Sequence, residues 1–391
     1  MSAESYATGL LETKGRIRMA ESNKSVMLAC GTTQMRGHVQ KLLRSFTRRG
    51  WGVSYVGWDR FTEMPKRDRS GSAEFRYIQR GWGSGGLNMA LGVPLWSLRL
   101  LFVALFHRRT SLIYALDLDS AWACAVAATI RGIPLIYDVR DNYLLRHNWP
   151  RPLARILRAL DNWTIRVAAQ IVVVDENRVV GPLASHRDKI VVLHNCPEDI
   201  GPRPVCAGSD HCTILSTGHL SENRGIPFLL DALEALPDLR VLLAGRVVSQ
   251  QLLERIENHP QVEFLEWVSQ EEAWQLGWRA QAMFSCYAPT SPINLRAASN
   301  KWFDAMMAGI PVITNCEVER AEWVEAQDIG YVIPYGDIAA LKQCLLVISG
   351  RPSKARRQGR KGRTLFERQY NWTAMESKLF DRIDGLFSVH H

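Results

Sequence analysis

The chain has eight cysteines but no CxxC pair. Cys30, Cys124 and Cys286 sit inside apolar runs, where a thiol behaves as a small buried hydrophobe. That pattern argues against a disulfide framework or a zinc site. The glycine-bounded loop after the first strand, Gly31 to Gly37, is not GxGxxG, and no Walker sequence occurs, so that strand–helix unit lacks the usual nicotinamide signature and the chain lacks the P-loop one. Long apolar runs are missing too. The longest candidate, Leu100 to Phe106 (LLFVALF), is far below the roughly 20 residues needed to cross a bilayer. The first 24 residues contain no apolar stretch of the signal-peptide kind, so a reducing, cytoplasmic home is expected.

What is there is a chain of 391 residues, 47% hydrophobic and 22% charged. This is the composition of a globular protein, and the length suits two domains. Lys and Arg number 48 against 39 acids, a net charge of +9. An excess of that sign suggests an anionic partner such as nucleotide phosphates or an anionic membrane face. LLFVALF is flanked by Trp96 and Arg99 on one side and by His107, Arg108 and Arg109 on the other. It reads first as a buried helix, and the flanks also suit an interfacial one. A second basic run holds Lys354, Arg356, Arg357, Arg360, Lys361 and Arg363 within ten residues. It reads as a solvated helix face, with no nucleic-acid partner implied.

Apolar strands alternate with helical stretches along most of the length. SVMLAC from Ser25 leads through a glycine-bounded loop into HVQKLLRSFTRRG and then WGVSYVGW. PLIYDV, IVVV and IVVL are further strands of the doubly buried, parallel kind. Between Cys196 and Cys212 three prolines and two glycines interrupt the periodicity. The pattern then restarts with a strand at Thr213 to Ser216. The expected fold class is α/β, two Rossmann-like doubly wound domains facing a central cleft. The boundaries are residues 1–197 for the first domain, 198–211 for a linker, 212–364 for the second domain and 365–391 for a terminal helix. In such sheets ligands bind outside the carboxyl ends of the strands.

The most informative segment is NLRAASNKWFDAMMAGIPVI, Asn294 to Ile313. Ser299, Asn300 and Lys301 open a helix, where free amides and an ammonium suit a phosphate. Asp304 follows one turn later and suits a sugar hydroxyl. GHLSENRG, Gly218 to Gly225, is read as a loop that begins where Gly218 ends a strand, and Arg224 can grip a diphosphate bidentately. In the first half, Asp117 and Asp119 follow one strand, and Asp138 and Asp141 end the next, so four carboxylates are expected at the cleft. One would serve as a general base or anchor an acceptor hydroxyl, while Asp119 is expected to cap the following helix.

These residues bring out a resemblance. SNKWFDAMMAGIPVIT, with STGHLSENRGIPFLLDAL, LRVLLAGR, VEFLEWVSQEEA, VVLHNCPE and IGYVIPYGD in their order, resembles the GT-B glycosyltransferases of the large retaining family 4-like group. The resemblance runs from about Ser25 to Phe387. It implies a nucleoside-diphosphate sugar as donor in the second domain and a glycan or lipid-linked acceptor in the first, with no cofactor or metal required. It implies work in cell-surface polysaccharide or glycolipid assembly, at the inner face of the cell membrane. Donor contacts would come from Gly218, Arg224, Trp267, Val268, Asn294, Ser299, Asn300, Lys301 and Asp304. Acceptor contacts would come from Gly31, Arg36, Asp117, Asp119 and Arg140. Arg224 and Lys301 would bear the leaving diphosphate, with Asp141 as base by position. Three positions depart from the group's pattern: its first acid is Arg296 here, a loop arginine is His219, and an acceptor-side histidine is Arg140. The alternatives are a sugar-nucleotide epimerase of the same fold and a catalytically weak sugar-nucleotide binder.

Overall fold

A computed structural model of the chain describes residues 24–33, 37–62, 64–65, 67–70, 73–82, 86–140, 142–145, 149–204, 211–297 and 299–388. The first sheet is built from β1 (Ser25–Cys30), β2 (Gly52–Asp59), β3 (Arg67–Ser70), β4 (Ala73–Arg80), β5 (Leu112–Leu116), β6 (Leu135–Val139), β7 (Gln170–Val173) and β8 (Ile190–Val192). Its helices are α1 (Gly37–Arg48), α2 (Gly86–Phe106), α3 (Leu118–Arg131) and α4 (Arg151–Val167). The strand order is β3-β4-β2-β1-β5-β6-β7-β8, parallel except for the β3–β4 pair. The β3–β4 hairpin has no counterpart in the sequence reading. Along β4, buried and partly buried residues alternate, so charged side chains dilute the apolar signal.

The second sheet contains β9 (Cys212–Leu220), β10 (Leu239–Val247), β11 (Val262–Leu265), β12 (Ala282–Phe284), β13 (Val312–Asn315) and β14 (Gly330–Ile333). Its strands run β11-β10-β9-β12-β13-β14 and every pair is parallel. The helices are α5 (Ile226–Leu233), α6 (Gln250–Glu257), α7 (Gln270–Leu276), α8 (Pro292–Leu295), α9 (Asn300–Ala308), α10 (Ala321–Ala326), α11 (Ile338–Gly350), α12 (Pro352–Gln369) and α13 (Trp372–Ser388). The order reverses between β9 and β12, which makes that crevice the topological switch point of the sheet.

One face of the first sheet packs α2, α3 and α4 around Trp58, Trp96 and Tyr137. The other packs α1 and α13, and its core continues into α9 of the second domain. The terminal helix α13 is fastened to α1. Trp372 Nε1 donates to Ser45 Oγ at 3.0 Å, the Phe46 and Phe380 rings lie 4.9 Å apart, and Glu376 pairs with Arg48 at 2.9 Å. The segment entering the second domain is held from α1 as well, where Lys41 Nζ donates to Asn195 Oδ1 and to the Cys196 carbonyl at 2.7 and 2.6 Å. The stretch read as a buried helix is buried on one side only. Leu100 and Ala104 face the core, and Phe102 and Phe106 face outward.

Candidate active site

Gly218 does not end its strand. β9 continues to Leu220, because its ladder with β10 runs on through Gly218↔Gly245 and His219↔Arg246 to Leu220↔Val247. Gly218 has φ +92° and Gly245 has φ +139°, conformations that a side chain would strain. A Cβ on Gly245 would run into the Gly218 carbonyl. The two glycines therefore leave a bare backbone floor at the carboxyl edge of the sheet. Lys301 Nζ stands over it, 3.3 Å from where a Cβ on Gly218 would sit.

Arg224 closes a short 3₁₀ turn, Glu222–Arg224, that Tyr335 braces by donating its hydroxyl to the Glu222 carbonyl at 2.7 Å. The guanidinium lies 4.0 Å from the Tyr287 ring centroid, a cation–π contact that aims it. Its Nη1 is buried without a hydrogen-bond partner among the described residues. Arg246, on β10 directly opposite His219, joins this group; the sequence reading did not assign it. Partial burial pushes the His219 imidazole below its ordinary value, and Arg224, Arg246 and Lys301 push it further in the same direction. His219 is thus neutral near pH 7, and the positive charge rests on the two arginines and the lysine.

The helix α9 starts from Ser299, but the Ser299 hydroxyl is turned to Ser285 Oγ at 2.8 Å and caps nothing. Among the described residues, no side chain caps the first-turn amides of α9 at Asn300 and Lys301. One turn on, Asp304 accepts a hydrogen bond from Trp274 Nε1 of α7 at 3.0 Å. Its carboxyl group sits deep in a recess, although part of the residue reaches the surface. Desolvation raises its pKa to about 6, against the opposing pull of Lys301, Lys41 and the Trp274 bond. Trp274 is a second residue that the sequence reading did not assign. It lies 30 positions before its partner, on a different helix.

Asn294 has its amide nitrogen committed to the Ala288 carbonyl at 2.9 Å. Arg296 pairs with Glu319 at 2.9 Å, and its carbonyl accepts from Asn177 of the first domain at 3.3 Å. Beyond β11, Trp267 is 74% exposed, so its indole face is open, while Val268 packs against the core. The next turn is fixed by a capping box between Ser269 and Glu272.

On the first-domain side, Gly31 follows β1, and a Cβ there would lie 3.0 Å from Asp119 Oδ2. Asp117 is held at φ 60°, ψ 160°, a region almost reserved for glycine, with its amide bonded to the Asp138 carbonyl at 3.0 Å. Its carboxylate is paired with Arg140. Two expectations need correction. Asp119 does not cap α3; Asp117 occupies the N-cap position and makes no side-chain cap, while Asp119 accepts from Ser120 Oγ at 3.2 Å and lies 4.0 Å from Arg60. Asp138 does not face the cleft either. It is fully buried, bonded to His38 Nε2 at 2.9 Å and Tyr114 OH at 2.8 Å, because β6 turns it into the layer beneath α1. Arg36 and Asp141 lie outside the described residues. Among the described residues, no group of three or more His, Cys, Asp or Glu could hold a metal ion.

The two sides approach each other closely. The backbone at Gly37, where α1 begins, abuts the Gln270 side chain of α7. Arg320 Nη1 reaches Asp175 Oδ2 at 2.6 Å across the domains. Chemically, this is a cleft with a cationic, amide-rich wall on the second domain, able to hold a diphosphate, and a wall of paired carboxylates on the first.

Residues 211–349 match the family model described as glycosyl transferases group 1. The whole chain is similar in fold to sucrose-phosphate synthase from Thermosynechococcus elongatus, at 16% identity and TM-score 0.72, over 94% of this chain and 100% of that one. HepE from Anabaena, in complex with UDP-glucose, superimposes at 15% identity and TM-score 0.68, over 92% and 99%. WaaG, a glycosyltransferase involved in lipopolysaccharide biosynthesis, does so at 14% identity and TM-score 0.60, over 90% and 98%. No curated protein sequence matches the chain. The chain has the GT-B fold, and its residues 211–349 match the group 1 glycosyl transferases.

Proposed function

We propose that the protein transfers a hexose-type sugar from a nucleoside diphosphate to a glycan or lipid-linked acceptor, with retention at the anomeric carbon. The observation that carries this reading is the convergence of Arg224, Lys301 and Arg246 with the uncapped start of α9 on one glycine floor. Such a wall stabilises charge that appears only as the diphosphate leaves, and that is how it would accelerate the reaction. The similar HepE structure holds UDP-glucose, which makes a uridine donor the first to try. The base would lie against the turn at Trp267 and Val268, and the ribose hydroxyls would donate to Asp304.

In the transfer step, an acceptor hydroxyl oxygen bonds to the anomeric carbon on the face that the diphosphate leaves. The carbon–oxygen bond to the diphosphate breaks, and its electron pair stays with the phosphate. The acceptor proton passes to a phosphate oxygen of the leaving group, so no side-chain base is required. Arg140 cannot accept that proton, since its guanidinium stays charged against Asp117. Asp141 remains the sequence's choice for a base. A capsular, lipopolysaccharide or glycolipid acceptor is the class that the reading favours, with the reaction held at the inner membrane face.

The test is a calorimetric titration with UDP-, GDP- and ADP-glucose, followed by an assay of donor consumption with candidate acceptors. Binding of one donor, weakened by Arg224→Ala and by Lys301→Ala, is the expected result. Unchanged affinity in both variants would overturn the diphosphate assignment.

A further inference from the structure

Nothing among the described residues covers the outer side of α2. Leu91, Leu98, Phe102 and Phe106 line it at helical spacing and are 54%, 58%, 66% and 66% exposed, while Trp96, Leu100 and Ala104 on the opposite side are fully buried. The helix is therefore apolar on both sides, and only one side has a core to face. The Phe102 and Phe106 rings lie together, 4.7 Å apart. An exposed apolar stripe of this length marks an interaction surface rather than ordinary surface scatter.

Its flanks are mostly basic, and Glu74 of β4 is the acid felt at His107, just past its end. No Asp or Glu occurs between Glu74 and Asp117, whereas Arg76, Arg99, Arg108 and Arg109 do, and Arg80 is paired with Asp59 at 3.4 Å. Arg99, Arg108 and Arg109 are exposed on or just beyond the helix. Arg131 ties the end of α3 to the end of α2 through the Ala104 and Thr110 carbonyls at 2.6 and 3.2 Å, which brings exposed Ile130 to the same end. Helix α4, which packs on the other side of α3, repeats the composition, with Leu153 and Ile156 exposed among Arg151, Arg155 and Arg158. The one acid in α4, Asp161, is turned inward to accept from Tyr137 OH at 2.8 Å.

We propose that α2, with the first half of α4, docks on an anionic lipid bilayer. Phe102 and Phe106 enter the acyl boundary, and the arginines meet the headgroup phosphates. No helix of the described residues is long and apolar enough to cross a membrane, so the helix lies in the interface plane. A second copy of the chain on this face would bring together two surfaces of the same sign, each carrying Arg99, Arg108 and Arg109. That like-charge contact favours lipid over self-association. The N-terminal end of α2 packs beside Trp82 at Gly92, with Trp82 itself partly exposed. If the transfer reading holds, docking along α2 brings a membrane-held acceptor to the first domain; the docking itself does not depend on that reading.

Flotation of the purified full chain with phosphatidylglycerol-containing vesicles, and with phosphatidylcholine vesicles alone, tests this. The wild type should float with the anionic vesicles at low salt and be released by added salt. The Phe102→Glu, Phe106→Glu double variant should lose at least ~10-fold in partitioning, while its nucleotide-diphosphate affinity stays at the wild-type value. Arg108→Glu, Arg109→Glu gives an independent check at exposed positions outside the helix, and the same loss is expected. Failure of the wild type to float at low salt, or undiminished flotation of both variants, overturns the proposal. So does sedimentation velocity showing a wild-type dimer that the phenylalanine variant abolishes, since that would assign the face to a second copy. Donor binding is read separately, so loss of docking and loss of the transfer reading are distinguishable.

Discussion

Trp274 Nε1 donates to Asp304 Oδ1 at 3.0 Å, so an indole on α7 fixes the carboxyl group that α9 presents to the cleft. Burial holds that group protonated up to about pH 6. Only the ionised form accepts freely from two ribose hydroxyls. Nucleotide affinity should therefore rise as pH increases through about 6, and Asp304→Asn should flatten the profile. Stability should run the other way. The folded state binds this proton more tightly than the unfolded chain, so this group's contribution falls between about pH 4 and 6. Trp274→Phe removes a bond that lowers the pKa and should move the affinity midpoint upward. Calorimetry across pH measures both effects.

Arg224→Ala and Lys301→Ala should each weaken diphosphate binding by about 1.5–3 kcal/mol, the range of a hydrogen bond to a charged group. Arg246 is exposed, so Arg246→Ala should cost less, about 0.5–1 kcal/mol, and its effect should shrink with added salt. Equal losses in all three would show that Arg246 bonds the ligand directly.

Gly245→Ala should unfold the floor of the cleft. The new methyl group would meet the Gly218 carbonyl at a backbone conformation that disfavours side chains. The expected cost is at least about 2 kcal/mol in chemical denaturation, together with loss of nucleotide binding. A variant of wild-type stability would mean that β9 and β10 can separate at this point without penalty.

Arg140→Ala takes the guanidinium from buried Asp117. An uncompensated buried charge typically costs about 3–5 kcal/mol. The added substitution Asp117→Asn should restore part of that, and a double-mutant cycle in urea measures the coupling. A restored fraction near zero would mean that Asp117 is stabilised by its other contacts.

The parallel strands were legible because burial on both faces leaves unbroken apolar runs, as in SVMLAC and IVVV. The end of β9 was not, because a glycine reads locally as a stop, while the ladder that carries the strand onward comes from β10. Asp138 was misread for a similar reason: His38 lies 100 positions away, and nothing near Asp138 in sequence announces it. Arg246 follows Gly245 much as His219 follows Gly218, so the repeated strand–glycine–cation pattern was available as a signal. In α2 both sides are apolar, and a sequence cannot tell which side a sheet will cover.

The chain passes between the domains twice, and the two passages touch: Trp372 N donates to the Pro197 carbonyl at 3.0 Å, and the His194 ring lies 5.2 Å from Phe303 and 5.5 Å from Tyr370. Two tethers side by side act as a door hinge rather than a flexible string. Any parting of the walls then has to be a rotation about the line through these residues, with sliding and twisting suppressed. We expect solution scattering with and without nucleotide to report one swing coordinate. Its pivot lies beside Lys41, where α1 holds Asn195 and the Cys196 carbonyl.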